Sequence, residues 1–145
     1  MLVRDILNLK GATIHSIGSD ASLAVAVSLM VARDIGSLVV MDGAHMAGLI
    51  TFREVLRAVD HCGGKLDGVC VRDVMVRHPL CAQPGDSMDE LRGLMTEHHV
   101  RYVPVREGQR LAGIVSFHDV AKAVIRETAL ENRLLKRYLE SEPET

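Results

Sequence analysis

The chain has 145 residues, 48% of them hydrophobic and 25% charged, with a net charge of −2. That composition is globular rather than disordered, and the length allows one ordinary core or two very small ones that share it. The charge balance excludes the basic face that nucleic acid requires, and with no Trp and 3% aromatic residues no base-stacking platform can be built.

The first ten residues, MLVRDILNLK, carry charges too early for a secretory signal. A short apolar segment from Ala12 to Ile17 predicts a strand. The helix that follows carries Leu23, Ala26, Leu29 and Met30 on one face. The run from Ala21 to Ala32 is the longest nearly apolar one, yet at about twelve residues it is too short to span a bilayer, so no membrane association is expected. Two apolar segments, SLVVM and AGLI, flank a turn at Gly43 and predict a hairpin. A second helix starts after Thr51. The stretch Asp60 to Val69, rich in Gly and Asp, reads as a connector.

The same order then recurs. Leu80 to Ala82 predicts a short strand, and Asp86 or Ser87 caps a helix with Met88, Leu91, Leu94 and Met95 on one face. YVPV and LAGIV flank a turn at Gly108, and a helix starts after Ser116. That last helix runs on to Pro143. Its later apolar residues, Leu130, Leu134, Leu135 and Tyr138, alternate with charges and extend beyond the core. Such a face needs a partner, most simply a second copy in a two-fold homodimer, and the tail Glu140 to Thr145 is expected to fray. Three cysteines without a C-x-x-C spacing indicate free thiols and a cytoplasmic location.

The recurrence is an internal repeat at an offset of 65: Val40 answers Val105, Gly43 answers Gly108, Ala47-Gly48 answers Ala112-Gly113, and Phe52 answers Phe117. Upstream, VRDIL at Val3 answers VRDVM at Val71 at an offset of 68. The fold class expected is α/β (α+β), with tandem β-α-β-β-α repeats closing on each other as one pseudo-two-fold unit. The boundaries are a first repeat over 1–60, a connector over 61–70, a second repeat over 71–127, and a C-terminal amphipathic helix and tail over 128–145.

Chemistry concentrates where each hairpin meets its second helix. There the sequence reads T-x-x-E at Thr51 and Glu54, and S-x-x-D at Ser116 and Asp119. One reading is a capping box that satisfies orphan N–H groups at the helix start. The other is a ligand site, because a helix start attracts phosphate and a carboxylate one turn along can accept from both hydroxyls of a ribose. Arg53 and His118 stand beside the carboxylates, either facing a phosphate or solvated on the helix.

Taken together, VRDVM, HHVRYVPV and LAGIVSFHDV resemble the recurring segments of the CBS-domain family, and the chain is similar to small stand-alone CBS pairs (Bateman modules) with a C-terminal helix. The resemblance spans Val3 to about Ile125. It implies a non-catalytic regulatory module that binds AMP, ADP, ATP, NAD or S-adenosylmethionine between the two repeats. It also implies a role for Ser116 at the phosphate and for Asp119 at the ribose. Val76, Arg77, His78, Pro79 and Leu80 match the loop whose backbone reads adenine, and Arg101, Tyr102, Val103 and Pro104 match a strand lining the same pocket. In the first repeat Thr51 matches the hydroxyl position, but Glu54 stands where the family has Asp and sets its carboxylate roughly 1 Å further out, which puts that second site in doubt.

Two other chemistries are not expected. None of the seven histidines shows H-x₃-H spacing, and the adjacent His98 and His99 point about 100° apart on a helix, so no metal site is expected. Ser116 and His118 face different sides of their helix and no G-x-S-x-G elbow exists, so no enzyme is expected. Any output is then expected to act in trans, on self-association or an unidentified protein partner. The alternative is a scaffold for dimerisation or protein interaction that binds no ligand.

Overall fold

The computed structural model describes residues 1–11 and 13–141. Ala12, where the first strand was expected to begin, and residues 142–145 of the expected frayed tail lie outside the described residues. The first repeat contributes α1 (Val3–Lys10), β1 (Ser16–Gly18), α2 (Leu23–Arg33), β2 (Ser37–Asp42), β3 (His45–Thr51) and α3 (Phe52–His61). The second contributes α4 (Val71–Val74), α5 (Met88–His98), β4 (Tyr102–Glu107), β5 (Arg110–Ser116) and α6 (Phe117–Ser141).

Local chemistry explains the element boundaries. Ser22 and Ser87 cap α2 and α5, each hydroxyl accepting from the amide three residues on, Val25 at 3.1 Å and Glu90 at 3.0 Å. Of the two candidates for the second cap, Ser87 takes it. Both hairpins turn on a glycine at positive φ, Gly43 at 62° and Gly108 at 63°. Their registers repeat at the offset of 65: Val40 pairs with Gly48 and Val105 with Gly113, each followed by a register shift.

The sheets are unequal. Parallel pairing of β1 with β2 makes a three-stranded sheet, β1-β2-β3, and β4-β5 is two-stranded. The strand expected at Leu80 to Ala82 is reduced to one parallel bridge, Ala82 to Val105, which matches Ile17 to Val40 in the first sheet.

The lead-in segments are exchanged. The VRD runs open α1 and α4, with Asp5 accepting from the Leu2 amide at 2.8 Å and Asp73 from the Cys70 amide at 3.1 Å. However, α1 joins the second repeat: Val3 N donates to Asp86 O at 2.9 Å, and Val3 and Ile6 are buried with Met88, Leu91, Met95, Val103 and Val115. Symmetrically, Val71 N donates to Ala21 O at 2.9 Å, and Val71 is buried with Leu23, Ala26, Met30 and Ile50. Each repeat therefore lacks part of its own core and receives it from the other's leader. The sequence boundaries at 60 and 71 separate repeats, not cores, and α6 continues through residue 128 without a break.

Candidate functional site

Ser116 ends β5 and Asp119 stands in the first turn of α6, so the hairpin register aims both into the seam between the repeats. They form the capping box. The Ser116 amide donates to Asp119 Oδ2 at 2.8 Å, and the Asp119 amide donates to Ser116 Oγ at 3.1 Å. Among the described residues Asp119 Oδ1 accepts no hydrogen bond. Capping thus occupies one carboxylate oxygen and leaves the other to the seam.

A third group converges there. Lys10, the last residue of α1, donates from Nζ to Asp119 Oδ2 at 2.7 Å and to the Ile114 carbonyl at 2.6 Å. Burial pushes the Asp119 carboxyl up, but hydrogen bonds from Lys10 and Ser116, with the Lys10 charge, outweigh it and hold it below the ordinary aspartate range.

These residues form one wall of a cleft of about 1050 Å³, at the upper end of the range for small-molecule sites. Ser116, Phe117, His118 and Asp119 stand on one side with Arg101, Tyr102 and Ile114. Ile35, Gly36, Ser37 and Arg53 of the first repeat stand opposite, and Lys10, Thr13 and His15 come from the leader. Arg53 ties the walls together, its guanidinium donating to the His99 carbonyl across the seam at 2.7 Å. Arg33 Nη1 lies 2.9 Å from His15 Nδ1, steadying a third side.

Of the residues singled out from sequence, the structure brings Ser116, His118, Asp119, Arg101, Tyr102 and Arg53 to this cleft. Val103 and Pro104 are buried behind it in β4. Thr51 and Glu54 do not line this cleft; they form the equivalent capping box at the start of α3, where the Thr51 amide and hydroxyl both donate to Glu54 Oε1 at 2.8 Å, and Glu54 is only 5% exposed.

Val76–Leu80 is placed elsewhere. Val76 pairs with Leu49 through hydrogen bonds of 2.9 and 3.0 Å, on the first repeat's hairpin, and none of its segment lines the cleft at Ser116. The exchange of leaders is the reason: the segment beside Ser116 is the one that follows α1. Sequence reasoning missed Lys10, Thr13, His15 and Gly36 there. The doubled VRD run was the available signal, since it marks Lys10 to His15 and Val76 to Leu80 as equivalent leaders whose places a crossover would interchange.

The family model for the CBS domain matches residues 3–61 and 71–126. A CBS-domain-containing protein of Agrobacterium tumefaciens superposes with a TM-score of 0.81 at 35% identity, covering 85% of this chain and 98% of that one. A mitochondrial CBS-domain-containing protein of Arabidopsis thaliana is 29% identical over 127 residues, which is 84% of this chain and 62% of that relative's length. A CBS domain pair solved with 5′-methylthioadenosine and S-adenosyl-L-methionine shares the fold, with a TM-score of 0.76 at 22% identity over 88% of this chain and 98% of that one.

Proposed function

Because the chain belongs to the CBS-domain family as a pair of CBS repeats, we propose that it is a regulatory module that binds an adenine nucleotide in the cleft at Ser116 and Asp119, and so alters its self-association or its contact with a protein partner. The observation that carries this reading is the convergence of a hydroxyl, a half-buried carboxylate with one free oxygen and a helix start on a cleft large enough for a nucleotide. The helix start suits a phosphate, Asp119 Oδ1 suits a ribose hydroxyl, and the apolar edges of Ile35, Tyr102 and Ile114 suit a base. AMP and ATP fit first, with NAD and S-adenosylmethionine as the wider class; binding of 5′-methylthioadenosine and S-adenosyl-L-methionine by a pair of the same fold supports an adenosine core.

The role read here is regulatory: among the described residues Ser116 Oγ accepts from the Asp119 amide and makes no hydrogen bond to a basic side chain that would activate it. A ligand shifts such a module only by its differential affinity for two states, about 1–3 kcal/mol in typical coupling. The exposed apolar face of α6 supplies the self-association surface, and the three free thiols fit the reducing cytoplasm.

The test is calorimetry with AMP, ADP, ATP, NAD and S-adenosylmethionine on wild type, Asp119→Ala and Asp119→Asn. Binding to wild type that is abolished by Ala and weakened by Asn supports the site. Equal affinity in all three proteins sinks it. One observation favours a second reading, the ligand-free scaffold: both capping boxes are complete and Asp119 is already paired with Lys10. A wild type that binds none of the five compounds yet self-associates tightly supports that reading.

A further inference from the structure

Lys10 brings a positive charge to the wall of the cleft. Three permanent cations line it, Lys10, Arg53 and Arg101, and Asp119 is its sole acid among the described lining residues. Three positive charges against one negative leave the cleft at +2, whereas the whole chain carries −2. The acid is also internally spent, since Lys10 Nζ sits 2.7 Å from Oδ2 and the Ile114 carbonyl anchors the same ammonium at 2.6 Å. The pair is largely shielded, with Lys10 and Asp119 side chains 27% and 16% exposed, so salt screens it less than a surface pair. Arg53 is held across the seam by the His99 carbonyl and cannot swing away without breaking that bond.

We propose that the Lys10–Asp119 ion pair makes this cleft select its ligand by charge: with its one acid neutralised, it takes adenine nucleotides that carry a polyphosphate and turns away cationic adenosine derivatives such as the sulfonium S-adenosylmethionine. Lys10 acts here as a specificity-determining residue. Its ammonium neutralises the one carboxylate that could attract a cation, so that Arg101, and the Arg53 donors not given to the His99 carbonyl, meet phosphate oxygens as guanidinium groups do best. The adenosine part is common to both ligand types, so charge is the discriminating property. The inference rests on the adenosine-binding reading above.

The experiment measures Kd by calorimetry for ATP, AMP, neutral 5′-methylthioadenosine and S-adenosylmethionine. It is run without divalent cations and at one fixed pH. Wild type is expected to bind ATP at least about tenfold more tightly than S-adenosylmethionine, with AMP between them. That ratio is expected to shrink as salt rises from about 0.01 M to about 1 M, where the screening length falls from about 30 Å to about 3 Å. Lys10→Met is expected to cut the ratio about tenfold by weakening ATP and strengthening the sulfonium, while Lys10→Arg keeps it. Arg101→Gln, outside the α1 contact, is expected to weaken ATP without strengthening the sulfonium to the same degree. A wild type that binds 5′-methylthioadenosine, S-adenosylmethionine and ATP alike overturns charge selection and leaves the adenosine reading standing. So does a folded Lys10→Met protein with an unchanged ratio. A wild type that binds none of the four overturns both.

Discussion

The Tyr102 hydroxyl, from the second repeat, lies directly over the Cα of Gly36 in the first, so that a single methyl at Gly36 would overlap it and the edge of the Phe52 ring. The two residues close the floor of the cleft from opposite repeats. At the offset of 65, Gly36 answers Arg101 and Ser37 answers Tyr102, so the seam sets the smallest side chain of one repeat against the large polar ones of the other. Gly36→Ala is therefore expected to destabilise the fold by about 1–3 kcal/mol, as overpacking does. Combining it with Tyr102→Ala is expected to return part of that loss, a coupling that urea denaturation of the four proteins in a double-mutant cycle reads directly. Strict additivity would mean that the two residues do not share the seam.

The exchanged leaders make a prediction about where stability resides. Ile6, at 2% exposure, is buried in the second repeat's core though it stands at the start of the first. Ile6→Ala is expected to cost about 2–5 kcal/mol. In amide hydrogen exchange its protection loss is expected in α5, β4 and β5. Loss confined to β2 and β3 would contradict the exchange.

The Asp119 carboxyl is held below the ordinary aspartate range, so the folded chain gives up this proton more readily than the unfolded one. The stability linked to it is complete above the unfolded value near 4 and is lost as pH falls through the lower folded value. Urea midpoints taken from about pH 5 down to about pH 2 are expected to fall more gently in Asp119→Asn than in wild type. Lys10→Met removes the chief opposing charge and is expected to flatten the same limb. Parallel acid limbs in all three proteins would show that the pair is not linked to folding.

Beyond its first turns α6 leaves the core, with Leu134 54% and Leu135 58% exposed beside the exposed Leu130, Tyr138 and Leu139. If this face joins two copies, Leu134→Glu combined with Leu135→Glu is expected to convert a sedimenting dimer to monomer. Thermal stability of the monomer is expected to change within about 0.5 kcal/mol, as for surface substitutions elsewhere. A wild type that sediments as a monomer at all concentrations removes the self-association part of the proposal.

Local chemistry was readable along the chain. Hairpin glycines, serine caps and the T-x-x-E and S-x-x-D boxes each act within four residues along the chain, and the 65-residue offset disclosed that the whole unit occurs twice. The chemistry of the seam was legible in part for the same reason, because Ser116 and Asp119 belong to one helix start. Which leader joins which repeat became visible in three dimensions alone. Val3 and Val71 open near-identical runs that could complete either core, and periodicity carries no information on that choice. Connectivity and packing make it, and with it they bring Lys10 to Asp119, 109 positions away, and carry Val76–Leu80 to the far side. A contact of that separation leaves no periodic trace along the chain, since it arises only when two hydrophobic faces bury each other.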